Sequence, residues 1–325
     1  MKAILCKTFG PPEDLILEEV PSPRPEAHQV LIDVKACGVN FPDTLLIQNK
    51  YQFNPPLPFS PGGEVAGLVR EVGEGVKYLK PGDRVLSLTG WGGFAEQVVA
   101  DAATTLPMPP GLDFVTAAGL MYTYGTSYHA LKNRAQLQPG ETLLVLGAAG
   151  GVGLAALQLG VLMGARVIAA ASTDEKLAVC RSLGASETIN YASEDLRERL
   201  KEITSGRGVD VVYDPVGDLY TEPALRSIAW KGRYLVVGFA AGEIPKIPLN
   251  LILLKGAQLI GVFWGTFAQK EPQENLQNFQ ELLTWIAQGK LRPHLHGTYP
   301  LAEAPLALRA MLERQVVGKA IVVVD

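Results

Sequence analysis

The chain contains little cysteine, and its positive and negative charges nearly balance. Its 325 residues include only 3 cysteines, and no two of them form a Cys-x-x-Cys pair. Scattered thiols are typical of a reduced cytosolic protein and argue against a disulfide framework. Lys and Arg total 29 against 33 for Asp and Glu, with no basic stripe. We therefore expect a cytoplasmic protein with no nucleic-acid partner.

Long apolar segments are also scarce near the start of the chain. The opening residues, MKAILCKTFGPPED, contain an apolar run that is too short for a secretory signal peptide. Residues 141–171 are long and nearly uncharged, so a membrane span is one interpretation of them. Six glycines, with Gln158 and Arg166 as polar breaks, argue against that interpretation. We expect no membrane partner.

The length of the chain and its 47% hydrophobic content predict two domains with sizeable cores. The first third consists of short apolar or alternating segments separated by proline and glycine turns, which predicts a small, partly open β-barrel. These segments are residues 1–7, 15–20, 30–36, 64–71, 84–88 and 94–100.

From residue 143 onward, short apolar segments alternate with helical ones, which predicts a six-stranded parallel sheet of the doubly wound type. The predicted strands are 143–146, 167–171, 187–191, 209–213, 234–237 and 258–262. The alternation stops after residue 262, and a final strand is predicted at 319–324. We therefore assign 122–262 to a Rossmann domain, and 1–121 with 263–325 to the barrel domain, with a ligand cleft expected between them.

A glycine turn joins the first strand and helix of that sheet. The sequence GAAGGVG at 147–153 departs from G-x-G-x-x-G, because Ala148 replaces the first glycine. Its place between a strand and a helix is nevertheless the arrangement that binds a dinucleotide pyrophosphate. A structural unit without a ligand remains the alternative. The residues predicted to contact the cofactor here are Ala149, Gly150, Gly151 and Val152.

Several further motifs follow one another in the chain. They are ACGVNFPD at 36–43, PGGEVAG at 61–67, PGDRV at 81–85, DPVG at 214–217 and GK at 318–319. Together with the glycine turn, they resemble the zinc-free quinone oxidoreductase and zeta-crystallin branch of the medium-chain dehydrogenase/reductase superfamily. This resemblance implies an α/β fold with a GroES-like catalytic barrel and a Rossmann domain. It also implies NADPH-dependent reduction of quinones or activated alkenes.

The resemblance places the family's zinc-ligand positions at Asn40, Gly63 and Tyr122. None of these residues is a good zinc ligand, and a catalytic zinc needs three ligands and an open position. We predict no metal. Without a Lewis acid, polarising a simple ketone is difficult, which favours substrates that accept hydride readily, such as quinones and enones.

The predicted second strand of the Rossmann sheet suggests the choice of cofactor. An NAD site normally has an acid at the end of this strand, where the chain has Ala171. Ser172 and Lys176 follow, and the resemblance implies that Lys176 and Tyr191 contact the 2′-phosphate of NADPH. Helix-capping and solvated roles for Ser172 and Lys176 are compatible with this prediction.

The candidate catalytic residues, Asn40 and Tyr51, come from the resemblance. An asparagine at the position of Asn40 hydrogen-bonds the cofactor or the substrate oxygen in the family, although turns also favour asparagine. Tyr51 borders the family's substrate pocket, where it could stack on a flat ring or supply a proton. An exposed loop aromatic is the alternative for Tyr51. Asp43 is predicted to be a helix or turn cap.

The resemblance also implies cofactor contacts from Thr126, Phe239, Ala240 and Lys319, with a surface lysine as the alternative for Lys319. The apolar residues 259–265 form an edge strand that pairs with its mate in relatives, so we expect a homodimer. The predicted function is NADPH:quinone reductase. A 2-alkenal or enone double-bond reductase and a non-enzymatic NADPH-binding protein are the alternatives.

Overall fold

The computed structural model describes residues 1–324, which form two compact units. Unit 1 contains Met1–Tyr122 and the chain from Arg292 onward, and unit 2 contains Thr123–Leu291. The strands are β1 Lys2–Leu5, β2 Ile16–Glu19, β3 Gln29–Gly38, β4 Glu64–Val72, β5 Arg84–Leu88, β6 Gln97–Asp101, β7 Thr105–Pro107, β8 Thr142–Leu146, β9 Arg166–Ala171, β10 Glu187–Asn190, β11 Val209–Asp214, β12 Ile228–Val236, β13 Gln258–Gly261, β14 Leu295–Pro300 and β15 Lys319–Val323.

The α-helices are α1 Phe41–Leu46, α2 Phe114–Ala117, α3 Met121–Tyr128, α4 Gly151–Leu162, α5 Asp174–Ser182, α6 Leu196–Ile203, α7 Thr221–Arg226, α8 Asn250–Lys255, α9 Trp264–Lys270, α10 Pro272–Ala287 and α11 Ala304–Leu312. A π-helical turn at His129–Arg134 continues α3. Buried Tyr124 and Tyr128 anchor α3.

Unit 1 is built on a seven-stranded sheet around the long strand β3. The order is β14-β15-β3-β4-β5-β7, and β6 also pairs with β3. Alternate residues Val30, Ile32 and Val34 of β3 lie in the core, as the two-residue period of a strand requires. Because β4 and β15 both run antiparallel to β3, their first residues lie beside its carboxyl end. That end of the sheet positions the site described below.

Unit 2 contains a six-stranded sheet in the order β10-β9-β8-β11-β12-β13, and every neighbouring pair is parallel. Successive strands step outward from β8 in one direction and from β11 in the other. This is the order of a doubly wound fold, in which ligands bind at the carboxyl ends of the strands where the direction reverses. The nearly uncharged segment 141–171, for which a membrane span was one interpretation, forms β8, α4 and β9.

The division of the chain differs from the prediction at residues 263–291. The sequence predicted that these residues belong to the barrel domain, whereas they belong to unit 2. The reason is aromatic packing: the ring of Trp264 in α9 lies against Gly125 of α3 and 6.2 Å from the ring of Phe279. Burial of these rings keeps α9 and α10 with the sheet that they follow, so the return to unit 1 comes at Arg292.

All three cysteines, Cys6, Cys37 and Cys180, are buried and free. Burial raises the pKa of each thiol, to about 12 for Cys180. The cytoplasmic location that the cysteine usage suggested stays a prediction. Within residues 1–324, none of the helices has both the length and the apolar character needed to cross a membrane.

Candidate active site

The turn between β8 and α4 contains no side chain larger than a methyl group. Gly147 has φ +57°, in the left-handed region that favours glycine. The N–H of Gly150 donates to the Gly147 carbonyl at 3.0 Å, and α4 begins at Gly151. N–H groups in the first turn of a helix have no partner within it, so they are available to an anion. The turn therefore fits a pyrophosphate group.

Helix α3 is tied to the first turn of α4 through Ser127. Its hydroxyl donates to the Val152 carbonyl at 2.8 Å and lies 2.9 Å from the hydroxyl of Tyr213, which is fully buried on β11. These contacts place the neighbouring half-buried Thr126 close to that turn. The contact of Thr126 with a nicotinamide stays a prediction.

Three predicted phosphate contacts gather at the end of β9. The ammonium of Lys176 lies 3.4 Å from the Ser172 hydroxyl, and the N–H of Tyr191 donates to the Ala171 carbonyl at 3.1 Å. The ring of Tyr191 lies 4.2 Å from that of Tyr220. With alanine in place of the usual acid, this edge of the sheet offers the Lys176 ammonium and the Ser172 hydroxyl, and no carboxylate at the position of Ala171. Such a donor set fits a 2′-phosphate.

The loop after β11 is organised by the buried carboxylate of Asp214. One carboxylate oxygen accepts two backbone N–H groups of the following turn, each at 2.8 Å. The other accepts the hydroxyl of Tyr234 at 2.6 Å, and burial together with this carboxylate raises the pKa of Tyr234. The N–H of Ala240 donates to the Pro215 carbonyl at 3.0 Å. Phe239 and Ala240 thus lie at the carboxyl edge of the sheet, where the cofactor crevice is expected.

In unit 1, Asn40 meets two charged side chains that come from distant parts of the sequence. The ammonium of Lys319 donates to Asn40 Oδ1 at 2.5 Å and to Glu64 Oε2 at 2.7 Å. Asn40 Nδ2 donates to Glu64 Oε2 at 3.0 Å and to the Gly38 carbonyl at 3.2 Å. The second oxygen of Glu64 accepts the Tyr122 N–H at 3.2 Å. All three side chains are buried, so the alternative of a surface lysine does not apply to Lys319.

Asp43 lies one helical turn after Asn40 and caps α1 from within. Its carboxylate accepts the N–H of Asn40 at 2.7 Å and the N–H of Gly62 at 3.2 Å. Burial raises the pKa of Asp43 to about 7, and the nearby Glu64 adds to this, while the N–H groups and Lys319 lower it. Asp43 is thus a cap, as its position predicted, with a carboxyl group that titrates near neutral pH.

Tyr51 begins a row of three aromatic rings, which we call the aromatic row. Its ring lies 5.0 Å from that of Phe53 in an edge-on contact, and Phe53 lies 6.1 Å from Trp91. Phe53 and Trp91 are 44% and 41% exposed, and Tyr51 packs against the unit 1 core. Burial and the nearby Asp43 raise the pKa of Tyr51, so its phenol keeps its proton at neutral pH.

The three positions at which the resemblance places zinc ligands carry no metal-binding group. Gly63 has no side chain, and a Cβ there would lie 2.7 Å from the Gly90 carbonyl oxygen. Burial raises the pKa of Tyr122 further above its ordinary value, which disfavours a phenolate ligand. Asn40 is a weak neutral donor. Among residues 1–324 no cluster of three His, Cys, Asp or Glu could hold a metal ion. These residues do not fit a zinc ion.

Two family models match the chain. The one described as "Alcohol dehydrogenase GroES-like domain" matches residues 26–110, and the one described as "Zinc-binding dehydrogenase" matches residues 151–287. The "Quinone oxidoreductase-like protein 2" of Bos taurus is 40% identical over 321 residues, which cover 98% of this chain and 91% of that protein. The chain belongs to the quinone oxidoreductase family of medium-chain dehydrogenases/reductases. The three zinc positions of the alcohol dehydrogenases lie outside residues 151–287, the segment that the zinc-named model matches.

Solved structures of this family superpose along the full chain. The Escherichia coli quinone oxidoreductase, complexed with NADPH, is 31% identical with a TM-score of 0.93, and the alignment covers 100% of both chains. The quinone oxidoreductase of Thermus thermophilus, solved alone and with NADPH, is 36% identical with a TM-score of 0.86 over 100% of both chains. The predicted fold class, a GroES-like domain with a six-stranded parallel Rossmann sheet, is confirmed.

The sequence alone did not identify two acidic residues of these sites as functional positions. Glu64 opens the otherwise apolar strand EVAGLV, and Asp214 closes the apolar strand VDVVYD. A carboxylate at the end of a buried strand must be paired or hydrogen-bonded, because leaving it uncompensated is costly. That rule was the available signal for both residues, although it does not identify their partners.

Proposed function

We propose that this member of the quinone oxidoreductase family is an NADPH:quinone reductase that works without zinc. When bound, NADPH supplies a hydride from C4 of its nicotinamide to a quinone, which also takes up a proton. The observation that carries the proposal is at the end of β9, where Ala171 replaces the usual acid and Lys176 and Ser172 lie 3.4 Å apart. Family members complexed with NADPH support the same cofactor.

Residues of unit 2 have the task of binding and orienting the cofactor. We assign the pyrophosphate to the backbone of the glycine turn, at Ala149, Gly150, Gly151 and Val152. The 2′-phosphate is assigned to Ser172, Lys176 and Tyr191, which the structure brings together. Thr126, Phe239 and Ala240 are proposed to border the rest of the cofactor.

The aromatic row supports a flat acceptor. Offset and edge-on contacts between aromatic rings stabilise a complex by more than the burial of apolar surface area alone. Phe53 and Trp91 extend the surface beyond Tyr51, and an acceptor with one or two fused rings matches such a surface better than a short enone does. The neutral phenol of Tyr51 is the proposed proton donor, with water as the other source.

The test is NADPH oxidation with a benzoquinone, a naphthoquinone and a small enone as acceptors. We expect the largest kcat/KM with the naphthoquinone. A larger kcat/KM with the enone would instead identify a double-bond reductase. Tight NADPH binding without turnover on all three acceptors would identify a non-enzymatic NADPH-binding protein.

Substitutions in unit 1 test the residue roles. Tyr51→Phe should leave the NADPH dissociation constant unchanged and lower kcat by about tenfold or more, since general acids contribute roughly 100-fold or more. Tyr78→Phe is the matched control, because Tyr78 is 57% exposed and its hydroxyl bonds only to a backbone carbonyl among the contacts described. Trp91→Ala should raise KM for the naphthoquinone about fivefold, equivalent to about 1 kcal/mol, and leave KM for the enone unchanged.

We also propose a homodimer, formed through the open edge at β13. Apolar side chains are concentrated there: Trp230, Leu253, Leu254 and Phe263 are 68%, 79%, 68% and 57% exposed. An exposed strand edge beside such a patch is a liability that pairing with a second copy removes. Light scattering tests the proposal, and a monomer mass would exclude it.

A further inference from the structure

We propose that Lys319 and Glu64 are positioning residues that hold the Asn40 side-chain amide in one orientation, so that Asn40 can only accept a hydrogen bond from a ligand. The geometry lies within unit 1. The kinetic consequence rests on the proposed function, because it assumes that Asn40 faces the reaction. The sequence had suggested two other roles, a cofactor contact for Lys319 and an amide of Asn40 that could also donate to the substrate oxygen.

The three residues meet because of the register of the unit 1 sheet. Asn40 follows the carboxyl end of β3, whereas Glu64 and Lys319 are the first residues of β4 and β15. Pairing of Cys37 with Val65 and of Gly38 with Ile321 brings both strand starts beside that end. The rigid sheet therefore supplies the convergence of a carboxylate and an ammonium on one amide.

The charges leave the amide a single favourable orientation. With Oδ1 toward the Lys319 ammonium and Nδ2 toward Glu64, every contact joins a donor to an acceptor. A rotation of the amide by half a turn would place NH₂ against the ammonium and oxygen against the carboxylate. Both contacts would then be repulsive, because an ammonium only donates and a carboxylate only accepts.

Burial makes this preference strong. Glu64 is 0% and Lys319 3% exposed, so solvent neither screens the ion pair nor replaces its hydrogen bonds. Removing one member would leave the other charge buried without its partner, whereas removing both leaves a neutral site. Single and double variants can therefore separate the stability of the ion pair from its effect on Asn40.

The fixed orientation determines what Asn40 can offer to a ligand. Its two Nδ2 hydrogens are donated to Glu64 and to the Gly38 carbonyl, and one acceptor position of Oδ1 is taken by Lys319. An amide oxygen has two acceptor positions, so one remains. Asn40 can thus accept from a donor such as a carboxamide N–H, and it does not donate to a quinone oxygen.

The experiment follows the Asn40 side-chain amide by NMR in protein labelled with ¹⁵N-asparagine, with the signals assigned by their loss in Asn40→Asp. In the wild type, both hydrogens should exchange slowly. Exchange should accelerate about 10- to 100-fold in the double variant Glu64→Gln/Lys319→Met, in which Nδ2 loses its charged acceptor and Oδ1 its charged donor, and less in Lys319→Met, which keeps both acceptors of the Nδ2 hydrogens. The double variant should regain the stability that the single variant loses.

A second measurement separates positioning from cofactor binding. Both Lys319 variants should keep the NADPH dissociation constant within about threefold, which is under 1 kcal/mol, while kcat for a quinone falls most in the double variant, on the order of 100-fold, from misorientation of Asn40. A large rise in the dissociation constant with an unchanged Asn40 spectrum would overturn the proposal in favour of a direct cofactor contact. Slow exchange that persists in the double variant would also overturn it. If the wild type reduces no quinone, the proposed function is wrong. The exchange rates of the Asn40 amide hydrogens still test whether Lys319 and Glu64 fix the orientation of that amide.

Discussion

The substitution Gly153→Ala tests the close packing of the glycine turn. A Cβ at residue 153 would lie 2.3 Å from the carbonyl oxygen of Gly147 and 2.8 Å from the Cα of Ala148. Both contacts are with backbone atoms, so rotation of a side chain cannot relieve them and the turn must move. Overpacking of this kind costs about 2 kcal/mol. For a unit of this size, that lowers the melting temperature by roughly 4–8 °C.

Two other glycines provide matched controls. A Cβ at Gly150 would meet only the Gly147 oxygen, at 3.4 Å, so Gly150→Ala should fold normally but place a methyl group where the pyrophosphate is proposed. Gly265 in α9 has open space around its Cβ position, so Gly265→Ala should stabilise the helix by about 0.5–1 kcal/mol. Gly153→Ala thus tests packing of the turn, Gly150→Ala tests cofactor binding, and Gly265→Ala measures the effect of replacing glycine by alanine alone.

The assay is thermal unfolding followed by circular dichroism, with and without NADPH. At 100 times the dissociation constant, NADPH should stabilise the wild type by about 2.7 kcal/mol, and a tenfold weaker Gly150→Ala by about 1.4 kcal/mol at the same concentration. Equal melting temperatures for Gly153→Ala and Gly265→Ala would refute the packing argument. Equal NADPH-induced shifts in the wild type and Gly150→Ala would refute the assignment of the turn to the pyrophosphate.

Three further predictions concern the cofactor, pH and assembly. Lys176→Met combined with Ser172→Ala should lower kcat/KM for NADPH at least tenfold, about 1.4 kcal/mol, with little change for NADH; an equal loss for both would contradict the 2′-phosphate assignment. Burial raises the pKa of Asp43 from 3.8 to about 7. The contribution of Asp43 to the free energy of unfolding is therefore complete below about pH 4, and it is lost as the pH rises through 7. The free energy of unfolding in urea, measured from pH 4 to 8, should show this decline in the wild type and not in Asp43→Asn. The same pH dependence in both proteins would contradict this role of Asp43. Leu253→Glu should halve the mass measured by light scattering, since the side chain is 79% exposed at the proposed interface; an unchanged dimer would place the interface elsewhere.

The parallel sheet of unit 2 could be predicted because its signals are local. Each strand is a short apolar segment bounded by a turn, and β8, β9 and β11 lie within one residue of the predicted bounds. Strand β12 begins at Ile228, six residues before the predicted start at 234. Its first half contains Trp230, Lys231 and Gly232, a sequence that does not resemble a buried strand, and the pairing with β11 skips these residues, joining Ile228 to Val209 and Arg233 to Val211.

Elements whose stability depends on distant partners were not predicted. Strand β14, Leu295–Pro300, contains histidine, glycine and threonine, and its burial alternates from residue to residue. It is a strand because β15 pairs with it in parallel. Helix α1 has only six residues and begins directly after Asn40, where the sequence left both a helix and a turn open. Short elements such as these carry too few residues for a periodic pattern to identify them.

The candidate site also depends on residues that are distant in the sequence, and this dependence could not be predicted. The identity of Asn40 and Tyr51 as candidates came from family resemblance, and no pattern in the sequence connects Asn40 with Lys319, 279 residues away. Only the sheet register joins them. A buried charge indicates that a partner exists, but its position depends on the completed fold.

The burial of all three cysteines has a consequence for the proposed reduction of quinones. Quinones and enones are electrophiles that alkylate thiolates, and a thiol reacts only when it is accessible and ionised. Cys6, Cys37 and Cys180 are each no more than 1% exposed, and burial raises the pKa of each. The cysteines of the folded protein should therefore remain unmodified during prolonged incubation with a benzoquinone, as mass spectrometry of the digested protein can establish. The same chain unfolded in urea at mildly alkaline pH should gain adducts at up to three sites.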